Sequence, residues 1–200
     1  TAKYMCNSFG AKRMLSLAVA VVCGSIAAER SYALPIDGQV VRGDAIIDAT
    51  SDTTLTITQE SDRAVINFED FSIDENEQVI FIQPGTDSAV LNRVIGNNVS
   101  EIYGDISANG QVFLINTNGV IFGEGASINV GSLVTSTYGL SNDAFMNGQL
   151  TFNANEQSGS IVNAGNIRSS GAGGVAFIAP VVVNDGVIEA VGGDVQIVSQ

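Results

Sequence analysis

Chemistry has few places to start in this 200-residue chain, which has no histidine, no tryptophan and only two cysteines, Cys6 and Cys23. The densest carboxylates are Asp70, Asp74, Glu75 and Glu77, in a polar stretch between residues 69 and 78. Such a set could hold Ca²⁺, or serve polysaccharide cleavage, if an arginine or lysine converged on it. The arginines are scattered and the carboxylates share one loop, so solvated loop charge is the expected reading. A Gly-rich run at 171–174 (GAGG) resembles a phosphate loop, yet neither a lysine nor a helical pattern follows it. No catalytic residue, metal site or cofactor is expected. What remains is amide chemistry: Asn116, Thr117, Asn118 and Gly119 stand between the apolar runs VFLI (112–115) and VIF (120–122). Asparagine bonds its own backbone two residues on, and glycine accepts positive φ. The tetrapeptide is therefore expected to turn a corner; on physics alone it needs no recognition role.

The elements that would carry this corner repeat. GDISANG (104–110) leads to VFLI, GNIRSSG (165–171) to VAFI, and GVIEAVG (186–192) to VQIV. Each reads G-x-I-x-small-x-G and then a strand that starts with valine. The last two copies are offset by about twenty residues, each preceded by a related Val-Asn turn, at Asn163 and Asn184. One unit of that length cannot bury its own apolar face, whereas stacked units can. The expected fold is all-β, a parallel β-helix whose inward Val, Ile, Leu and Phe stack on like residues. After residue 33 no eleven-residue stretch shows apolar positions at helical spacing. Pro35, Pro84 and Pro180 fall where strands start or end. An antiparallel sandwich or barrel is the rival all-β architecture. Segment 39–58 does alternate in that way, and it is read as an antiparallel cap over the first coil, where an open edge would invite aggregation.

The ends and the charge narrow the class further. Lys3, Lys12 and Arg13 precede an apolar run at 15–28 and small residues up to Ala33, the pattern of a secretory signal peptide over residues 1–33. An uncleaved anchor is the alternative; Val22 before Cys23 speaks against a lipid-attachment site. The domain is then 34–200. It keeps four arginines (Arg42, Arg63, Arg93, Arg168), no lysine and no cysteine, against twenty carboxylates. Such acidity argues against nucleic acid and anionic membranes as partners. The chain opens on Thr1 and closes inside the repeat pattern, so more chain is expected to follow Gln200.

SAVLNRV (88–94) and ANGQVFLINTNGV (108–120) together resemble the N-terminal secretion domain of two-partner secretion exoproteins, the filamentous-haemagglutinin-type adhesins and their relatives. The similarity runs from about Leu34 to Gln200. The family's usual Asn-Pro-Asn-Gly-Ile has Thr117 and Val120 here, which makes the corner less preorganised. The resemblance implies a right-handed parallel β-helix with extra-helical strands. It implies entry to the periplasm of a Gram-negative bacterium through the Sec machinery, and recognition by periplasmic domains of a dedicated outer-membrane β-barrel transporter. Folding is then nucleated at the cell surface, without catalysis. Carried over residue by residue, the recognition or folding motif is Asn92, Arg93, Asn116, Asn118 and Gly119. Arg93 is expected to find a carboxylate or turn carbonyls, or else to touch the transporter. A host or cell-surface receptor would be met by the downstream region. The rival functions are a polysaccharide-degrading β-helix enzyme and a directly glycan-binding adhesin domain; few aromatic residues, four Tyr and nine Phe, support the latter.

Overall fold

Strands that bury one face can share a core only if each lies beside its equivalent in the next unit, at the ~4.8 Å spacing of a hydrogen-bonded sheet. The computed structural model, which describes residues 34–154 and 157–199, follows that rule. The stretch read as a signal peptide, 1–33, lies outside the described residues. About six coils stack into a parallel β-solenoid with three walls.

The first wall runs through Arg63–Phe68, Ala89–Val94, Gln111–Ile115, Ser132–Ser136, Val175–Ile178 and Val195–Val198, all parallel. The second runs through Thr54–Gln59, Gln78–Ile82, Asp105–Ala108, Ser127–Val130, Asn166–Ser169 and Val187–Ala190. The third is shorter: Ser100–Ile102, Val120–Phe122, Ile161–Asn163 and Val182–Asn184. Like stacks on like inside. Leu55, Val79, Ile106, Ile128, Ile167 and Ile188 are successive partners in register along the second wall, and the rings of Phe122 and Phe177 stack at 5.9 Å.

The repeat's leading glycine has a steric cause. A Cβ on Gly104 would lie 2.3 Å from the Glu77 carbonyl oxygen, and one on Gly186 would lie 2.2 Å from that of Gly165. The bend into the second wall presses so closely on the preceding coil that no side chain fits. The Val-Asn turns stack as well: Asn163 Nδ2 donates to Asn184 Oδ1 at 2.7 Å.

The cap is present and slightly shorter than expected. Gln39–Arg42 pairs antiparallel with Arg63–Phe68, and Ala45–Ser51 pairs antiparallel with Thr54–Gln59. Thr54–Gln59, read from sequence as part of the cap, is already the first parallel strand of the second wall.

One short helix, too brief to show a helical period, interrupts the nearly all-β chain. Between the Ser132–Ser136 and Val175–Ile178 strands the chain leaves the coil. Gly139–Leu140 and Phe152–Asn153 form a small antiparallel pair around a one-turn helix, Asn142–Met146. Ser141 caps that helix by accepting from the Ala144 N–H at 3.1 Å. This strap lies on the outer face of the first wall. There Val65, Ala89, Leu91, Phe113 and Ile115 form a second buried cluster with Leu140 and Phe145. Strand Gln111–Ile115 is thus apolar on both sides for two separate reasons: Val112 and Leu114 face the solenoid core, while Phe113 and Ile115 face the strap.

Candidate functional site

The corner at 116–119 forms where the chain passes from the first wall to the third. Asn116 is completely buried. Its Oδ1 accepts from the Asn118 backbone N–H at 2.9 Å and from Asn118 Nδ2 at 3.0 Å, the bond to the second residue on that asparagine makes in turns. Its Nδ2 donates to the Asn98 carbonyl at 3.0 Å and to Ser100 Oγ at 2.9 Å, both in the preceding coil. Asn118 Nδ2 also donates to the Gly96 carbonyl at 2.9 Å.

The same corner reaches forward. The Asn116 N–H donates to the Ser136 carbonyl at 3.1 Å, and the Gly159 N–H donates to the Thr117 carbonyl at 2.8 Å. Gly119 sits at φ +127°, where an L side chain is strained, and a Cβ there would lie 3.1 Å from the Ser160 carbonyl oxygen. Four consecutive residues therefore brace three successive coils. Only Thr117 and Asn118 keep partial exposure.

Asn92 and Arg93 lie one coil earlier, in Ala89–Val94. Asn92 points inward: its register partners are Ile66 and Leu114, both in the solenoid core. It is fully buried, and its Nδ2 donates to the Phe113 carbonyl at 3.2 Å. Arg93, the next residue, points outward beneath the strap. Its guanidinium donates to the Leu140 carbonyl and to Asn142 Oδ1. Of the partners expected for Arg93, the structure supplies a carbonyl and a neutral amide, not a carboxylate. The strap arrives with its helix N-terminal region over the arginine, whose partners among the described residues are Leu140 and Asn142 alone. The one ion pair among the described residues is Arg168 with Glu189 at 2.6 Å, exposed on both sides. Arg63 completes the clamp, donating to the Phe145 carbonyl at 3.0 Å with its guanidinium carbon 5.1 Å from the Phe145 ring centre.

Burial lowers the Arg93 pKa from its ordinary value, through desolvation of the charge. The folded state then holds this proton less tightly than the unfolded chain, so the group would make stability rise with pH only in the strongly alkaline window between the two values. Across the neutral range it is charged in both states. Replacing Arg93 with methionine keeps the apolar stem and removes the donors, and is expected to cost about 2 kcal/mol. Because both acceptors are neutral, that cost should be the same at pH 5 and pH 9, and in low and high salt, when urea unfolding is followed. A cost that vanishes in 1 M NaCl would mean an ion pair instead.

The structure thus gathers all five sequence-picked residues on neighbouring coils, but in different surroundings: Asn92 in the core, Arg93 under the strap, and the other three at the corner. Sequence reasoning missed Gly96, Asn98 and Ser100, which receive the corner's amide bonds. It also missed Leu140 and Asn142, which receive Arg93. The polar string GNNVS (96–100) was a signal for the first set; nothing local marked the second. In the acidic loop, Glu77 Oε2 accepts from the Asp74 N–H at 2.9 Å, and Asp70 accepts from Asn98 of the next coil at 3.0 Å.

Comparison with known proteins places the fold in a family. A family model described as the TPS secretion domain matches residues 33–199. A heme/hemopexin-binding protein of Haemophilus influenzae is 39% identical over 124 residues, which is 62% of this chain and 13% of that protein. Its counterpart in strain KW20/Rd is 36% identical over 164 residues, covering 78% of this chain and 18% of the relative. The chain therefore spans less than a fifth of either relative. The crystal structure of the HMW1 secretion domain from Haemophilus influenzae matches with a TM-score of 0.78 at 36% identity, over 82% of this chain and 44% of that one.

Proposed function

The chain belongs to the TPS secretion domain family, and from that premise we propose that its Asn92-Arg93 and 116–119 motifs are read by the transporter while the chain is still unfolded. A secretion domain of an exoprotein implies a dedicated outer-membrane transporter as partner and export from a Gram-negative cell. The finer scheme is our reading: residues 1–33 direct Sec-dependent entry, the transporter's periplasmic domains take the 34–200 segment in extended form, and folding nucleates at the cell surface. In this scheme the domain has no catalytic role. Receptor or ligand contacts of the whole exoprotein, such as the heme/hemopexin binding in the relatives' names, belong to chain outside this domain.

One observation carries the reading: the corner is an internal brace with Asn116 fully buried. A side chain enclosed as Asn116 is cannot reach a partner after folding. Its two uses, recognition and coil closure, must therefore follow one another. Recognition of an extended strand by addition to a sheet edge would suit such a chain. The lack of cysteine between residues 34 and 200 removes one route to periplasmic crosslinking.

Asn118 separates the two uses, because it is the partly exposed asparagine of the pair. Replacing it with alanine loses the side-chain bonds to Gly96 and to Asn116 Oδ1 but keeps the backbone bond to Asn116, and is expected to cost only about 1–2 kcal/mol of stability. Export through the cognate transporter should nevertheless fall well below the level such a small loss accounts for. Measuring secreted protein in cells carrying the transporter decides the matter; wild-type yield would refute the recognition role.

A further inference from the structure

The interior of the first wall contains a side chain that the fold itself does not want. Asn92 follows Val90 and precedes Val94 on the inward face, and its partners in the adjacent coils are Ile66 and Leu114. All four neighbours are aliphatic core residues. The amide is fully enclosed, donates to Phe113 O at 3.2 Å, and its Oδ1 meets no donor. A buried acceptor left without a partner costs up to about three times the net worth of a single bond such as that to the Phe113 carbonyl, so an apolar group of similar shape in its place is expected to be stabilising on balance. Leucine has nearly the same shape and would continue the aliphatic column from Ile66 to Leu114. Positions where a residue contradicts the local packing rule tend to be functional.

A second interior orphan supplies the comparison. Thr135 stands two coils along the same column, between Leu114 and Phe177 in register, and is fully buried with its Oγ1 lacking a partner. It lies outside both motifs. The two positions share burial, wall, facing and an unmet polar atom, and differ in whether they belong to the motif.

We propose that Asn92 is a recognition residue kept against the interest of the fold: its amide binds the transporter in the extended chain, and in the folded domain it is a stability defect. The inference rests on the reading above that the motifs act before folding, and goes further by assigning the Asn92 side chain a benefit only in the unfolded state. An amide on an extended chain offers one donor pair and one acceptor, which suits backbone groups at a sheet edge of the transporter. Folding then withdraws that amide into the core.

The test compares Asn92→Leu with Thr135→Val in two measurements. The 200-residue chain, refolded from urea, is followed by thermal unfolding. Export of the full exoprotein is measured in cells with the cognate transporter, and urea-unfolded chain is diluted onto the purified transporter to read binding directly. Both variants should raise Tm by about 2–6 °C. Asn92→Leu should weaken transporter binding and lower export by about tenfold, while Thr135→Val leaves both at the wild-type level. A lower Tm for Asn92→Leu would show that the amide is structural, and wild-type binding and export would show that it is not read. Equal export loss in Thr135→Val would mean that added stability alone blocks export; each of these results overturns the proposal. If Asn92→Leu exports normally while Asn118→Ala does not, the proposal for Asn92 fails and the wider reading of the corner stands.

Discussion

Replacing Asn116 with alanine is expected to cost about 3–5 kcal/mol, a large part of the 5–15 kcal/mol that holds a typical domain together. The side chain makes four hydrogen bonds between 2.9 and 3.0 Å, two to Asn118 and two to Asn98 and Ser100. Alanine removes both the donor and the acceptor. Ser100 Oγ is enclosed at a fully buried residue and loses a donor, and the Asn118 N–H loses its acceptor in the turn. Each such orphan costs more than the net value of one bond. The expected fall in Tm is about 10 °C. Aspartate should do no better, since it keeps the Oδ1 acceptor but sets a carboxylate oxygen against the Asn98 carbonyl. Urea and thermal unfolding of the refolded chain check both variants. A loss under about 1 kcal/mol would show that solvent can take over the corner's bonds. Export should fall with Asn116→Ala as well, through the folding step even where recognition survives.

Phe145→Ala should be comparably severe, at about 3–5 kcal/mol. The ring is fully buried and meets Phe113 edge-on, with centroids 5.1 Å apart and planes at 72°. It also lies under the Arg63 guanidinium. Removing it leaves a cavity between strap and wall that a one-turn helix cannot close, because the strap is pinned at Leu140 and Asn142 by Arg93. The solenoid core is a separate cluster and keeps its packing. Phe145→Leu should recover roughly half of the loss, since most of the apolar area returns without the edge-on geometry. The check is the urea midpoint of the three proteins. An alanine variant as stable as the wild type would mean that the strap is ornamental and that Phe113 and Ile115 tolerate water.

These two positions differ in how visible they were. Asn116 announced itself, because Asn-x-Asn-Gly between apolar runs has few physical readings and a corner is the simplest. Phe145 sits in SNDAFMNG (141–148), which carries a capping serine and nothing else that points to a helix, since five residues are too few to display a period. Arg93 is intermediate. Its need for oxygen partners was plain, but they lie 47 and 49 residues downstream, on a segment whose path no local pattern defines.

What the amino-acid order determined by itself is the coil: its period of about twenty residues, its glycine bends, its asparagine corners and its alternation of inward residues. These are short-range properties, repeated along the chain, and a stacked architecture turns them directly into contacts between neighbours. Only the tertiary structure decided which outward apolar residues are covered, where Arg93 finds its acceptors, and that Asn92 and Asn116 are enclosed. The reason is physical. Burial on the outer face depends on where a segment inserted between coils comes to rest, and that is fixed by three-dimensional closure over residues far away in the chain. A pattern read along one dimension records that Phe113 and Ile115 are apolar, but not what comes to lie on top of them.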